Sequence, residues 1–257
     1  MRVLTINLNG VRAAHSKGLA VHLAEQQADL ICMQEVRARE TQVPPELAPP
    51  GHGAYWHCAE RAGYSGVGIY SRHAPRAVTC GMARPEFDVE GRVLRADFEN
   101  LTVESVYVPS GSARPDRQAF KMTFLTEFLK HAAGLAASGR EVLLCGDFNI
   151  AHTKLDLKNW RANQDYSGFL PEERAWVDEL LAAGFVDVHR SLMGPEGVAY
   201  TWWSNLGRAR ANDVGWRIDY HLATPGLAAT ARQAQVYRDA FFSDHAPLTV
   251  DYDWDLS

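Results

Sequence analysis

Eight residues carry the chemistry that stands out from the background of this chain: Asn7 and Asn9 in TINLNG, Glu35 in LICMQE, Asp147 and Asn149 in LLCGDFN, Asp219 in WRIDYHL, and Asp244 with His245 in FFSDHAPL. All but one are oxygen donors, and the exception is an imidazole. Hard cations such as Mg²⁺ or Mn²⁺ take oxygen ligands, whereas zinc favours nitrogen or sulfur, so the set points to the former. Asp244 and His245 sit between a pair of phenylalanines and an apolar run that begins at Pro247. Burying a carboxylate or an imidazole there without a partner costs several kcal/mol, so each needs one. Asp219, flanked by Ile218 and Tyr220, suits the imidazole. In this reading His245 donates one ring N–H to Asp219 and keeps the other nitrogen for a substrate, while Asp244 turns toward a metal held by Glu35. The pairing raises the imidazole pKa, and a protonated His245 stabilises a phosphoryl oxygen. Each residue also has a plainer reading. Asp or Asn after a strand commonly forms a turn or caps a helix, Glu35 can be a solvated strand-end charge, and an Asp–His pair can be purely structural.

The elements that would position these groups are legible as short apolar runs. They are residues 2 to 8, 30 to 34, 66 to 71, 101 to 108, 141 to 146, 216 to 223 and 246 to 252, whose length and β-branched content suit strands. Residues 115 to 136 place Phe120, Phe124, Phe128 and Ala132 at every fourth position, with Leu125 and Leu129 beside them, which is one apolar helix face. A second helix is expected from about Pro171, with Glu172 and Glu173 in its first turn and Gly184 ending it. Residues 41 to 53 hold four prolines and two glycines and read as a long loop. Strands covered by helices make the class α/β, and the polar residues fall at strand ends, where α/β proteins assemble their sites.

Bulk properties narrow the setting. A chain of 257 residues with 46% apolar and 22% charged residues is an ordinary globular protein rather than a disordered one. No stretch approaches the roughly twenty apolar residues of a spanning helix, and the start MRVLTINLNG lacks a signal peptide's apolar block, so a cytoplasmic location is expected. Four cysteines without C-x-x-C spacing argue against a zinc site or a disulfide framework. A net charge of −5 gives no general affinity for nucleic acid, although local basic patches decide phosphate binding.

The motifs TINLNGVRA, LICMQEVR, VYVPSG, GDFNIAHTKLDLKN, SGFLPEERAW, YTWW, VGWRIDYHL and SDHAPL, in this order and spacing, resemble the exonuclease III type of abasic-site endonuclease within the endonuclease/exonuclease/phosphatase superfamily. The resemblance runs from Arg2 to about Leu248, and GWRIDY with GFLPEER and DLKN is its most specific part. It implies a four-layer α/β sandwich of two packed mixed β-sheets flanked by helices, forming one domain over residues 1 to 257. It implies Mg²⁺-dependent cleavage of DNA phosphodiesters at abasic sites or damaged 3′ ends by a monomer, with Mn²⁺ an alternative ion. Glu35 would be the main metal ligand, with Asn9 and Asp244 close by. Asp147 would position or deprotonate the attacking water, Asn149 would orient it, and Asn7 would hold Asp147. His245, oriented by Asp219, and Tyr107 would contact the scissile phosphate. Trp202, Trp216 and Ile218 match an apolar pocket for a flipped-out abasic sugar, and Arg37, Asn163, Lys158, Arg208 and Arg210 would line the DNA backbone.

Two positions depart from the usual pattern. Ser110 stands where asparagine is common, and its hydroxyl is shorter and carries fewer donors. Tyr166, two residues before Gly168, replaces a smaller residue and would narrow the channel or stack on a terminal base. Two other functions stay open: a superfamily phosphatase acting on small phosphoesters such as inositol phosphates, which needs no aromatic sugar pocket, and a non-catalytic DNA-binding protein, which predicts the loss of a metal or water-activating residue.

Overall fold

All seven apolar runs contain a strand that lies inside a six-stranded sheet rather than at its margin. The computed structural model describes residues 1 to 257 apart from Ala113, Pro195 and Ser257. Among the described residues the strands are β1 (Arg2–Asn7), β2 (Leu30–Gln34), β3 (Gly53–His57), β4 (Val67–Ser71), β5 (Ala77–Cys80), β6 (Val93–Asp97), β7 (Leu101–Tyr107), β8 (Glu141–Asp147), β9 (Val186–Asp187), β10 (Trp202–Trp203), β11 (Gly215–Trp216), β12 (Asp219–Ala223), β13 (Ala231–Val236) and β14 (Leu248–Tyr252). They form two six-stranded sheets, ordered β13-β14-β1-β2-β4-β3 and β5-β6-β7-β8-β12-β9, and a ribbon of β10 and β11. Both large sheets are mixed: β1 runs parallel to β2 and β7 to β8, and their other neighbours are antiparallel.

Alternation along the strands builds the layers. Val3, Leu30, Cys32, Ile69, Val103, Leu143, Cys145 and Val250 point between the two sheets. Their neighbours point outward. Leu4, Ile6, Ile31 and Met33 meet Val11, Ala14, Leu19 and Leu23 of the helices Val11–Ser16 and Leu19–Gln26. On the other side Val142, Leu144, Tyr220 and Leu222 meet Phe124, Phe128, Trp176 and Leu180 of the helices Pro115–Ala136 and Pro171–Ala182. Each such side chain contributes about 1.5–3 kcal/mol when fully buried. Helix, sheet, sheet and helix make the four layers expected from the motifs. Among the described residues no helix is long and apolar enough to cross a membrane.

Three local expectations need correction. The run 216 to 223 is not one strand. Residues 215 and 216 pair with β10, and the chain joins the large sheet only at Asp219, because between them Arg217 turns inward, its backbone N–H bonded to the Asp156 carbonyl at 2.7 Å. The proline-rich stretch is not featureless either: it holds single turns of 3₁₀ helix at Glu40–Gln42 and Pro45–Leu47, and Gly53 already belongs to β3. Finally, Glu173 is more than a first-turn charge. Its buried carboxylate accepts the backbone N–H groups of Gly168 at 2.6 Å and Leu170 at 3.0 Å, which caps the helix that Pro171 opens.

Candidate active site

The parity of each polar residue decides where it points. On β1, Asn7 shares the inward side of Val3; on β8, Asp147 follows Leu143 and Cys145; on β7, Tyr107 follows Leu101 and Val103; on β12, Asp219 lies on the side of Ala223. One end of the layer between the sheets is therefore apolar and the other polar. Strand register completes the assembly. Asp147 is opposite Tyr107 on one side and Asp219 on the other, and Glu35 directly follows Gln34, the partner of Asn7.

Two asparagines tie the acids together. Asn7 Nδ2 donates to Glu35 Oε1 at 3.0 Å and to Asp147 Oδ2 at 2.8 Å, while its Oδ1 accepts the backbone N–H of Asn9 at 2.9 Å. Asn9 Nδ2 in turn donates to Asp244 Oδ1 at 2.8 Å, and Trp202 Nε1 donates to Asp244 Oδ2 at 3.0 Å. Glu35 also accepts the Tyr107 hydroxyl at 2.7 Å on Oε1 and pairs with Arg37 through Oε2. Asp147 accepts the backbone N–H of Asn149 at 2.8 Å and its amide at 3.2 Å, and the same amide reaches the Val108 carbonyl at 2.9 Å. His245 Nδ1 lies 2.9 Å from Asp219 Oδ2, so that nitrogen carries the proton, and Nε2 stands 3.7 Å from Asp147 Oδ2. Thr201 Oγ1 accepts the backbone N–H groups of Ile218 and Asp219, both at 3.2 Å, at the point where the chain enters β12.

Four residues here have left-handed backbone: Asn9 with φ 45°, Glu35 with 48°, Arg37 with 52° and Asn149 with 53°. Asparagine tolerates this region, but for glutamate and arginine it costs on the order of 1 kcal/mol or more. The sharp reversal after β2 turns Glu35 and Arg37 back toward the strand ends. Such strain is concentrated where side-chain placement matters more than stability.

Electrostatics separate the acids. Burial lifts the pKa of Asp147 to about 7, helped by the charges of Asp219 and Glu35 and opposed by His245 and Asn7. Burial opposes the charge on His245, yet Asp219, Asp147 and Asp244 outweigh it and raise its pKa to about 10. Burial, with the Glu35 charge, pushes the Tyr107 phenol well above its ordinary value, so it keeps its proton. For Asp244 burial is outweighed by His245, Asn9 and Trp202, which hold it below the usual carboxylate range.

These groups open onto a cavity of about 440 Å³. Ten of the twelve residues singled out from the sequence for catalysis, metal or the sugar pocket line it; Asn7 and Asp219 are fully buried behind it. Glu35, Asn9, Asp244, Asp147, Asn149, Tyr107 and His245 form its polar side. Trp202, Trp216 and Ile218 form an apolar wall, with the two indoles edge-to-face at 6.2 Å and 82°. Asn163, Ser110, Arg37 and Tyr166 also line it, and Tyr166 is 64% exposed. The other basic residues are not gathered here. Lys158 and Arg208 are exposed elsewhere, and Arg210 lies over the Trp203 and Phe241 rings with its guanidinium on the Ala240 carbonyl at 2.9 Å.

Comparison with known proteins places this arrangement. The Endonuclease/Exonuclease/phosphatase family pattern matches residues 4 to 245. The chain belongs to that family. It is 37% identical to the exodeoxyribonuclease of Bacillus subtilis over 251 residues, 97% of this chain and 98% of the relative. Its fold superposes on an AP endonuclease from Archaeoglobus fulgidus with a TM-score of 0.90 at 26% identity, covering 99% of this chain and all of the other. A Neisseria 3′ phosphatase bound to product DNA hairpin matches with a TM-score of 0.89 at 26% identity, again over 99% and 100% of the two chains.

In this family member the donor set suits a divalent metal. Among the described residues the four acids Glu35, Asp147, Asp219 and Asp244 have as ion-pair partners Arg37 and, when protonated, His245, which leaves a formal excess of two negative charges around a cavity rimmed by oxygen atoms. Single atoms of Asp147, Asp219 and His245 come within 4.8 Å of one another, but His245 Nδ1 is spent on Asp219 and Nε2 stands 3.7 Å from Asp147, so the trio is a hydrogen-bonded Asp–His pair facing a third acid. Sequence reasoning missed Ser112, Ser167 and Gly168 in the lining and Lys121 beneath it. Lys121 had a signal: with Phe124, Leu125, Phe128 and Ala132 it follows the buried helical stripe, and a lysine there requires a buried acid.

Proposed function

We propose that the protein is a Mg²⁺-dependent DNA repair phosphodiesterase, cleaving DNA at abasic sites and removing blocking groups or nucleotides from 3′ ends, as a monomer of one catalytic domain. The observation that carries the reading is the conjunction of the Asp219–His245 pair with Asp147 and Glu35 on one side of a cavity and an indole-walled recess on the other. A divalent ion, when bound by Glu35 with Asn9 and Asp244 beside it, supplies positive charge for the phosphoryl oxygens. Mn²⁺ would serve the same donor set.

The chain's own groups divide the remaining work. Asp147, with a pKa of about 7 and both oxygens held by Asn7 and Asn149, is poised to take a proton from an attacking water at neutral pH. His245, with a pKa of about 10, stays cationic and offers an Nε2–H to a phosphoryl oxygen, its ring fixed by Asp219. The Tyr107 phenol keeps its proton and acts as a hydrogen-bond donor. The recess between Trp202, Trp216 and Ile218 accepts a deoxyribose that lacks its base and disfavours an intact nucleotide within a duplex, adding to the selectivity that comes from the easier extrusion of an unpaired site.

Tyr166, on the rim and largely exposed, supports a preference for 3′ termini, where it can stack on an end base. Three labelled duplexes with Mg²⁺ test the proposal: one with an internal abasic site, one with a 3′-phosphate end and one with a plain recessed 3′ end. Cleavage of at least one is expected. Inertness on all three, with phosphate release from small phosphoesters instead, would overturn it. Tyr166→Gly is expected to raise abasic-site incision relative to 3′ trimming by about threefold or more, and an unchanged ratio removes Tyr166 from the account of specificity.

A further inference from the structure

Beneath the cavity floor lies an ion pair with both side chains wholly inaccessible to water: Lys121 Nζ is 2.6 Å from Glu173 Oε1. Such a pair holds two helices together poorly, because desolvation offsets the attraction and apolar residues of similar volume often do as well. Apolar residues could not make its other contacts. Lys121 Nζ donates to the carbonyl of Asn149 at 2.9 Å. Glu173 accepts the Gly168 N–H at 2.6 Å and the Leu170 N–H at 3.0 Å, and its other oxygen also takes Gln118 Nε2 at 3.1 Å.

One partner thus grips the left-handed turn that presents Asn149 to Asp147, and the other grips the segment that carries Ser167 and Gly168 into the cavity. The two segments meet tightly. The Ala151 N–H bonds the Gly168 carbonyl at 2.8 Å, and a Cβ built on Gly168 would stand 3.1 Å from both the Asn149 carbonyl oxygen and the Trp216 ring. We propose that Lys121 and Glu173 are positioning residues that set the Asp147–Asn149 turn in register with the indole wall, so that the proton acceptor and the sugar recess address the same nucleotide. This rests on the phosphodiesterase reading above.

Two variants separate positioning from support. Lys121→Met strands the Glu173 charge; it is expected to lower the melting temperature and to lower kcat at least about tenfold, with KM within about twofold. Adding Glu173→Gln removes the stranded charge, so the double variant should regain most of its melting temperature while kcat stays low, because the Asn149 carbonyl still lacks its donor. If kcat recovers together with stability, or if the double variant cannot fold, the pair is a folding element and the proposal fails. An unchanged kcat in Lys121→Met fails it too. Wild-type protein that cleaves none of the three duplexes refutes the phosphodiesterase reading instead, before either variant is considered.

Discussion

Two clusters of buried charge lie a residue apart in the chain, and they are built on opposite rules. In one, Arg217 bonds Asp156 at 2.6 Å and Asp187 at 2.7 Å, Arg190 also pairs with Asp156, and two acids meet two guanidinium groups. In the other, beginning at Asp219, four carboxylates meet one arginine and one histidine and are otherwise held by neutral amides, an indole and a phenol. The first is neutral, and Asp156 shows it: burial opposes its charge, yet Arg217, Arg190 and the Thr153 N–H bring its pKa down to about 2. In the second, Asp147 rises to about 7. Burial penalises both acids alike, so the difference lies in the partners. Amides orient a carboxylate without neutralising it, which leaves charge for a cation and a base for a proton.

The largest effect expected from this contrast is kinetic. Asp147→Asn should lower kcat on DNA by about 10³ while leaving the melting temperature unchanged or raised, since a buried and only partly countered charge is removed; a melting temperature several degrees lower would break the comparison. Asp156→Asn should do the reverse in kind, unfolding in urea with about 3–5 kcal/mol less stability, because it leaves Arg217 short of a partner in the interior. A urea midpoint near wild type would show that the arginine cluster is not the structural one. The pH dependence follows from the same acid. A carboxyl whose folded pKa of about 2 lies below its unfolded value stabilises the fold when ionised; its contribution, roughly 2 to 3 kcal/mol, is complete above about pH 5 and disappears as pH falls toward 2. Urea melts of wild type at descending pH should therefore lose stability more steeply than those of Asp156→Asn. The smallest effect is that of metal. Mg²⁺ at about ten times its Kd should add roughly 1.4 kcal/mol over protein in EDTA. Glu35→Gln should abolish that gain and Asp156→Asn should retain it, as thermal melts would report.

What the chain discloses in advance follows the same physics. Strands with a neighbour on both sides read clearly where they are mostly apolar, as in LICMQ or EVLLC, whereas the interior strand β6, VLRAD, did not, because Arg95 and Asp97 interrupt it. The four marginal strands β3, β5, β9 and β13 do not, because one flank faces solvent: Ala77–Cys80 is exposed throughout, and ARQAQV has no apolar run at all. The core of the site was legible for the reason the interior strands were. A carboxylate inside an apolar run, as Asp219 is, announces a buried partner, and distant runs that each end in such a group announce a meeting point. Side chains whose partners come from a different layer were not legible. Arg37 lines the cavity as expected, but its pairing with Glu35 was not foreseen; Arg210 is held by a carbonyl; Arg217 marked a motif without revealing Asp156 and Asp187. Lengths and directions of long cationic side chains depend on the finished fold, and periodicity does not encode them.

The place of β14 has a consequence for synthesis. It lies between β1 and β13, so β1 waits for a strand synthesised long after it before its second flank is covered. His245 and Asp244 sit just ahead of β14, whereas Asn7 and Glu35 are made long before them. A nascent chain that stops short of residue 244 carries Glu35 and Asp147 but neither the imidazole nor the third cavity carboxylate, Asp244, and the cavity cannot be completed piecemeal during translation.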